Sequence, residues 1–148
     1  MNFSKKSRYG LRALIDLAVS SENAPVALNL IAERNHISPQ YLEQVFAALR
    51  KNGLVKSIKG AQGGYLLARG PEEITVSEIL KALDGSYLIE EEALEPAGER
   101  RGISEAIQKT LIDQVNDSLD SLLKSITLAD LARSCQSYHE YGQDMYYI

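Results

Sequence analysis

SPQYLEQVFAALRKNGLVKSIKGAQGGYLL, running from Ser38 to Leu67, reads as one helix followed at once by a tight two-stranded ribbon. Ser38 is an N-cap residue, and Pro39 stands where the first helical residue needs a fixed φ and no amide donor. Leu42, Val45, Phe46 and Leu49 recur at the three-and-four spacing of a buried helix face. Arg50, Lys51 and Asn52 close the helix with positive charge at its negative end, and Gly53 supplies a left-handed stop. Leu54 to Lys59 then alternates β-type and polar residues, and Tyr65-Leu66-Leu67 returns after Gly60-Ala61-Gln62-Gly63-Gly64. Three glycines in five residues make a turn of positive φ or of close backbone approach.

The polar side of that helix offers Gln40, Tyr41, Glu43 and Gln44 near its N-terminus, where a recognition helix reads base edges. Lys56 and Lys59 project from the ribbon, and no acidic residue lies between Gln44 and Gly70. A polar-faced helix joined to a basic, glycine-tipped hairpin is the plan of a winged helix-turn-helix. Either half alone also suits a solvated amphipathic helix, or a plain hairpin kept soluble by lysines. The combination, with the charge distribution, points to nucleic acid.

The net charge of −4 hides that distribution. Residues 1–70 carry ten Lys and Arg against four Asp and Glu, net +6, and residues 71–148 carry six against sixteen, net −10. Only the first half suits phosphates, and the acidic half helps to orient docking. No segment approaches the roughly 20 apolar residues of a membrane span, and the basic start MNFSKKSRYG lacks the apolar run of a signal peptide. The expectation is a cytoplasmic protein. One cysteine, Cys135, and two distant histidines, His36 and His139, form no metal-ligand spacing and no nucleophile–base arrangement. GAQGG lies between strand-like runs and lacks the Lys-Ser/Thr of a phosphate loop. No catalytic site, metal or cofactor is expected, and the enzyme reading is weak.

In order, Ser4 caps a first helix to about Ser20, with Leu11, Leu14, Ile15, Leu17 and Ala18 inward. Its start carries Lys5, Lys6, Arg8 and Arg12 against the helix dipole, a cost that phosphate contacts by Ser7, Arg8 and Tyr9 would offset. A short helix over about Leu28 to Asn35 precedes the turn Asn35-His36-Ile37. Thr75-Val76-Ser77-Glu78 reads as a capping box opening a helix to about Leu83, packed through Val76, Ile79, Leu80 and Leu83. An acidic loop fills 86–102, with Glu90, Glu91, Glu92, Glu95 and Glu99. The longest helix, about Ser104 to Ser125, carries a narrow apolar stripe: Ile103, Ile107, Leu111, Val115, Leu119, Leu122 and Ile126. It exceeds what covering one small core requires. Dimerisation through Ile107, Leu111, Val115, Leu119 and Leu122 is favoured over packing on its own domain, since a two-fold protein reads palindromic half-sites. A last short helix from Thr127 turns Leu128, Leu131 and Ala132 inward. Cys135, with nothing basic beside it, is expected in a packed position near its end.

YGLRAL (Tyr9 to Leu14), the run Tyr41 to Arg69 and ITVSEILKALDG (Ile74 to Gly85) resemble a family of small bacterial winged-helix repressors. That family includes the iron–sulfur-cluster regulator IscR, the nitric-oxide sensor NsrR and the cysteine-metabolism repressor CymR. The resemblance covers essentially the whole chain, and Tyr41 to Leu67 is its most specific part. It implies a mainly α fold with a small β-wing: a winged helix-turn-helix domain (1–85), a loop (86–102), and a dimerisation helix with a C-terminal arm (103–148). The iron–sulfur members carry three cysteines in the loop, where this chain has none, so no cluster is expected and the CymR-like members are more similar.

The expected reading is a homodimeric repressor of double-stranded DNA. Ser38, Gln40, Tyr41, Glu43 and Gln44 stand at the base edges, and Arg8, Tyr9, Arg50 and Lys51 at phosphates. The wing residues Lys56, Lys59, Gly60 and Gln62 run along the backbone or into the minor groove. CymR-like members end in a similar tail and are thought to act with O-acetylserine thiol-lyase, an enzyme class that recognises a C-terminal isoleucine on another partner. By that analogy Tyr147 and Ile148 are docking groups for the enzyme; docking of the tail back onto the dimer is the alternative. Two other classes stay open: a winged-helix protein-interaction scaffold, and a sensor of a different small-molecule or redox signal.

Overall fold

Hydroxyls set most of the helix starts. In the computed structural model, which describes residues 3–21, 23–93, 98 and 100–146 with side chains as far as Glu140, Ser4 Oγ accepts from the Ser7 amide at 3.0 Å to open α1 (Lys5–Ser20). After α2 (Leu28–Arg34), Ser38 Oγ accepts from the Tyr41 amide at 3.1 Å and Pro39 begins α3 (Pro39–Lys51). Thr75 Oγ1 caps α4 (Val76–Asp84) through the Glu78 amide at 3.2 Å. The expected capping box is half made there, because the Glu78 side chain pairs with Arg69. Between α3 and α4 lies the ribbon, β1 (Val55–Ile58) antiparallel to β2 (Gly64–Leu67), with Ser57 opposite Tyr65 and Val55 opposite Leu67. Val26 bridges onto its outer edge, its amide donating to Tyr65 O at 3.0 Å and its carbonyl accepting from Tyr65 N at 2.8 Å.

The three-and-four stripes meet in one core. Leu42, Val45, Phe46 and Leu49 of α3 are fully buried among Leu14 and Leu17 of α1, Ile31 of α2 and Ile79 of α4. Gly10 allows α1 and α4 to approach: a Cβ there would lie 2.3 Å from Leu83 Cδ1. Asp84 at the end of α4 locks the same crossing. It accepts from Ser4 N at 3.3 Å, from Ser7 Oγ at 2.6 Å and from Ser4 Oγ, placing a carboxylate at the positive end of α1. Burial pushes the Asp84 carboxyl upward, but the hydrogen bonds from Ser4 and Ser7 outweigh it and hold the group below its ordinary 3.8. This contribution to stability is fully present above that ordinary value and is lost as pH falls through the lowered one.

The C-terminal half departs from expectation in three ways. The long helix, α5, is continuous over 101–125 but passes through a π-helical stretch, Ala106–Ile112, between Arg101–Glu105 and Asp113–Ser125. Its apolar residues divide into two faces. Ile112 and Leu123 are buried, with Leu119 packed beside a second cluster of Val76, Leu80, Tyr87 and Leu123. Ile103, Leu111 and Leu122 instead stay 63%, 58% and 55% exposed; Ile107 and Val115 are half-buried. The second departure is α6, which runs from Leu128 to Tyr146 where a short helix and a separate tail were expected. Thr127 and Asp130 start it with reciprocal side-chain-to-amide bonds at 3.1 and 2.9 Å, and no proline comes after them to stop it. The third is Cys135. It is exposed rather than packed, because the α6 face that buries Leu128 has run past the core and lies over an open groove beside Ile15, Asp16 and Val19.

The start of the acidic loop is held along α5. Tyr87 is 2% exposed, and its hydroxyl bonds Ser77 Oγ at 2.8 Å and the Asp120 carboxylate. Burial and that carboxylate raise its ionisation above the ordinary tyrosine value. Asn116 clamps Ile89 from both sides, accepting from its amide at 2.8 Å and donating to its carbonyl at 3.0 Å. Glu95 and Glu99 of the loop, and Tyr147 and Ile148 of the tail, lie outside the described residues. Among the described residues no helix is long and apolar enough to cross a membrane.

Candidate nucleic-acid interface

The inner face of α3 is consumed by the core, so its polar residues are left on one surface. Gln40, Glu43, Gln44, Arg50 and Lys51 are all exposed. Tyr41 is half-buried, its ring edge-on to Tyr9 of α1 at 5.6 Å and 86°. Lys5 Nζ stands 5.5 Å from the Tyr9 ring centre, a cation–π distance. Arg8 is exposed with its Nε donating to Phe3 O at 3.3 Å. The structure therefore joins the start of α1 to the start of α3, so that Lys5, Arg8, Tyr9 and Tyr41 form one edge beside Gln40 and Gln44. Ser38 spends its side-chain oxygen on the cap.

The wing is fixed to the other end of α3. Phe46 packs on Tyr65 with ring centres 4.6 Å apart, and Arg50 Nη1 donates to Ser57 Oγ at 3.4 Å. The tip, 59–63, is a turn closed by the Gly63 amide on Gly60 O at 3.0 Å, with Gly60 at φ +117°. Gly63 is obligatory in this geometry: a Cβ there would meet Ile58 O at 2.2 Å. Lys59, Gly60 and Gln62 are exposed on the tip.

Strand alternation sets Lys56 apart from Lys59 at the tip. Ser57 and Tyr65 face α3, so Lys56 and Ile58 point to the opposite side of the ribbon. Lys56 there lines a hollow with Asn23, Leu66 and Arg69. Ile58 is 40% exposed beside the tip and was not among the expected contacts; its place opposite a glycine, Gly64, is visible only once the register is known. Ser57 is a second residue that the sequence does not reveal, since nothing local marks a serine as the partner of an arginine seven residues earlier.

The family described as "Rrf2: Iron-dependent Transcriptional regulator" matches residues 3–134 of this chain. HTH-type transcriptional regulator IscR of Escherichia coli (strain K12 / DH10B) is 39% identical over 134 residues, covering 90% of this chain and 82% of the relative. Among solved structures, CymR (YrzC), the global cysteine regulator of B. subtilis, superposes with a TM-score of 0.74 at 37% identity, over 90% of this chain and 98% of that one. T. potens IscR gives 0.72 at 41% identity, over 91% and 88%. The winged-helix geometry, the exposed polar start of α3 and these matches agree: the chain belongs to the Rrf2 family of transcriptional regulators.

Proposed function

We propose that the protein is a sequence-specific, dimeric transcriptional repressor that places the start of α3 in the major groove and the 59–63 tip against the adjoining backbone or minor groove. One observation carries this reading: Gln40, Glu43 and Gln44 are exposed between the cationic start of α1 and the basic wing tip, on a surface whose apolar side is entirely used by the core. Glu43 accepts from cytosine N4 and Gln44 pairs with adenine. Arg8, Tyr9, Arg50 and Lys51 take phosphates. Lys56, on the other face of the ribbon, adds to the field rather than to the contacts. A protein-interaction scaffold would have no need of such a surface.

The test uses a duplex selected by the protein from a random pool. Glu43→Ala should relax preference at one position, at a discrimination cost of about 1–3 kcal/mol. Lys59→Ala should weaken selected and scrambled duplexes alike and lower the salt slope by about one. An unchanged affinity and salt slope for Lys59→Ala would remove the wing from the interface.

The donor set does not fit an iron–sulfur cluster, which takes thiolates. The chain's single thiol, Cys135, is on α6, and the loop 86–102 contains none. The signal therefore enters by another route. Likeness to the CymR structure supports control of sulfur metabolism with O-acetylserine thiol-lyase as corepressor, docked on Tyr147 and Ile148. Full-length protein should capture that enzyme from cell extract and a chain lacking Met145–Ile148 should not; equal capture by both would place docking elsewhere.

A further inference from the structure

A carboxylate outside the interface is bonded to the residues that lead into the turn before α3. Asp16, on the last turns of α1, has only 14% of its side chain exposed. Its Oδ1 accepts from Arg34 Nη2 at 2.5 Å and from Ser20 Oγ at 3.2 Å, and its Oδ2 accepts from Asn35 Nδ2 at 2.8 Å. Arg34 is the last residue of α2 and Asn35 its C-cap. The second Asn35 amide hydrogen bond goes to Ile31 O, also at 2.8 Å, so the asparagine ties α2's own end to α1.

The next residue, His36, has φ +54°, the left-handed region that a side chain with a Cβ rarely adopts and that persists only where neighbours over-determine it. Here they do: the His36 amide donates to Glu33 O at 3.3 Å, the Ile37 amide donates to Ala32 O at 2.9 Å, and Ile37 is 6% exposed. Ser38, the cap of α3, comes two residues after His36. The chain thus enters α3 through a left-handed turn whose upstream side is tied to Asp16.

We propose that Asp16 is a positioning residue for sequence readout: by holding Arg34 and Asn35 it fixes the turn at His36, and through it the seat of α3 against base edges. The inference rests on the reading of α3 as the helix in the major groove. Base-edge hydrogen bonds tolerate a displacement of only about 0.5 Å or 10–20°. Long lysines and arginines keep their phosphates through larger shifts, so loosening the turn costs specific binding first.

The experiment compares affinity for the duplex that the wild-type protein selects from a random pool with affinity for a scrambled duplex of equal length, across a salt series. Asp16→Ala should lose about tenfold on the selected duplex and keep its affinity and salt slope on the scrambled one. Asp16→Asn, which retains one acceptor, should fall between. Asn35→Ala leaves the net charge and the Asp16–Arg34 pair unchanged and should reproduce the selective loss; it carries the test if Asp16→Ala does not fold. Equal losses on both duplexes, or no loss in variants with wild-type circular dichroism, would overturn the inference while leaving DNA binding intact. Failure of the wild-type protein to select any duplex would overturn the DNA reading and the role of Asp16 with it.

Discussion

Aspartate at both Leu111 and Leu122 is expected to leave a folded monomer that no longer holds its operator. The two residues are eleven apart, about three helical turns, and so share one face of α5. They are 58% and 55% exposed, while their neighbours Ile112 and Leu123, one position on, are buried, Leu123 against Val76 and Leu80 of α4 and Tyr87. The helix thus spends one face on its own domain and leaves a second apolar face, continued by Ile103, open to solvent. A contiguous apolar strip of this kind marks an association surface, and the proposed dimer would use it, with a second copy of the helix laid across it in the two-fold arrangement that palindromic half-sites require. A carboxylate there would be desolvated without a partner, at a cost of several kcal/mol per ion, which a dimer of moderate affinity does not survive. Losing the second half-site removes the avidity term, so affinity for the selected duplex should drop by about 10²–10⁴. Sedimentation measures the first effect and titration of labelled duplex the second, with circular dichroism as the control for folding. A variant that still sediments as a dimer would show that another surface holds the protomers together.

How much of the structure is legible in the sequence depends on the range of each interaction. The helix-turn-helix and wing are legible because their determinants are local: Ser38 and Thr75 cap within three residues, Leu42 to Leu49 repeat at the helical period, and Gly60 to Gly64 can only turn. Tyr87 is hidden in an acidic loop, since its partner Asp120 is 33 residues away and nothing near it is periodic. The apolar stripe of α5 reads as one surface in the sequence. In the structure a π-helical stretch interrupts the regular period, and Leu111 and Leu122 stay exposed while Ile112 and Leu123, about 100° round the helix from them, are the buried residues. The two-residue period of a strand already puts Lys56 and Ser57 on opposite sides of the ribbon; which parity faces α3 is supplied by the contacts of Arg50 with Ser57 and of Phe46 with Tyr65. The Asp16 anchor joins residues 18 and 19 apart and carries no sequence signature at all.

Phe46→Ala should be the most destabilising single change in the DNA-binding half. The ring is fully buried at the centre of α3 and rests on Tyr65 of β2, ring centres 4.6 Å apart at 46°. It therefore joins the core to the wing as well as filling it. Truncating a buried phenylalanine costs about 3–5 kcal/mol in transfer and cavity terms, against a total stability of about 5–15 kcal/mol for a domain. For a chain of this size the melting temperature should fall by roughly 10 °C. The loss should also be uneven. Leu42, Val45 and Leu49 continue to hold α3 on α1, α2 and α4, whereas β2 loses the ring that Tyr65 lies on and is left with Leu67 against the core, its ladder to β1 and its bridge to Val26. Amide exchange at Tyr65 and Leu66 should therefore accelerate more than exchange within α3, since sub-global opening tracks the weakest packing. At temperatures where the variant is still folded, its affinity should fall for selected and scrambled duplexes together, because the wing tip carrying Lys59 is no longer held against the groove. A uniform rise in exchange across both elements would mean that Phe46 supports the core as a whole, and that the wing is anchored chiefly through Val26 and the Arg50–Ser57 contact.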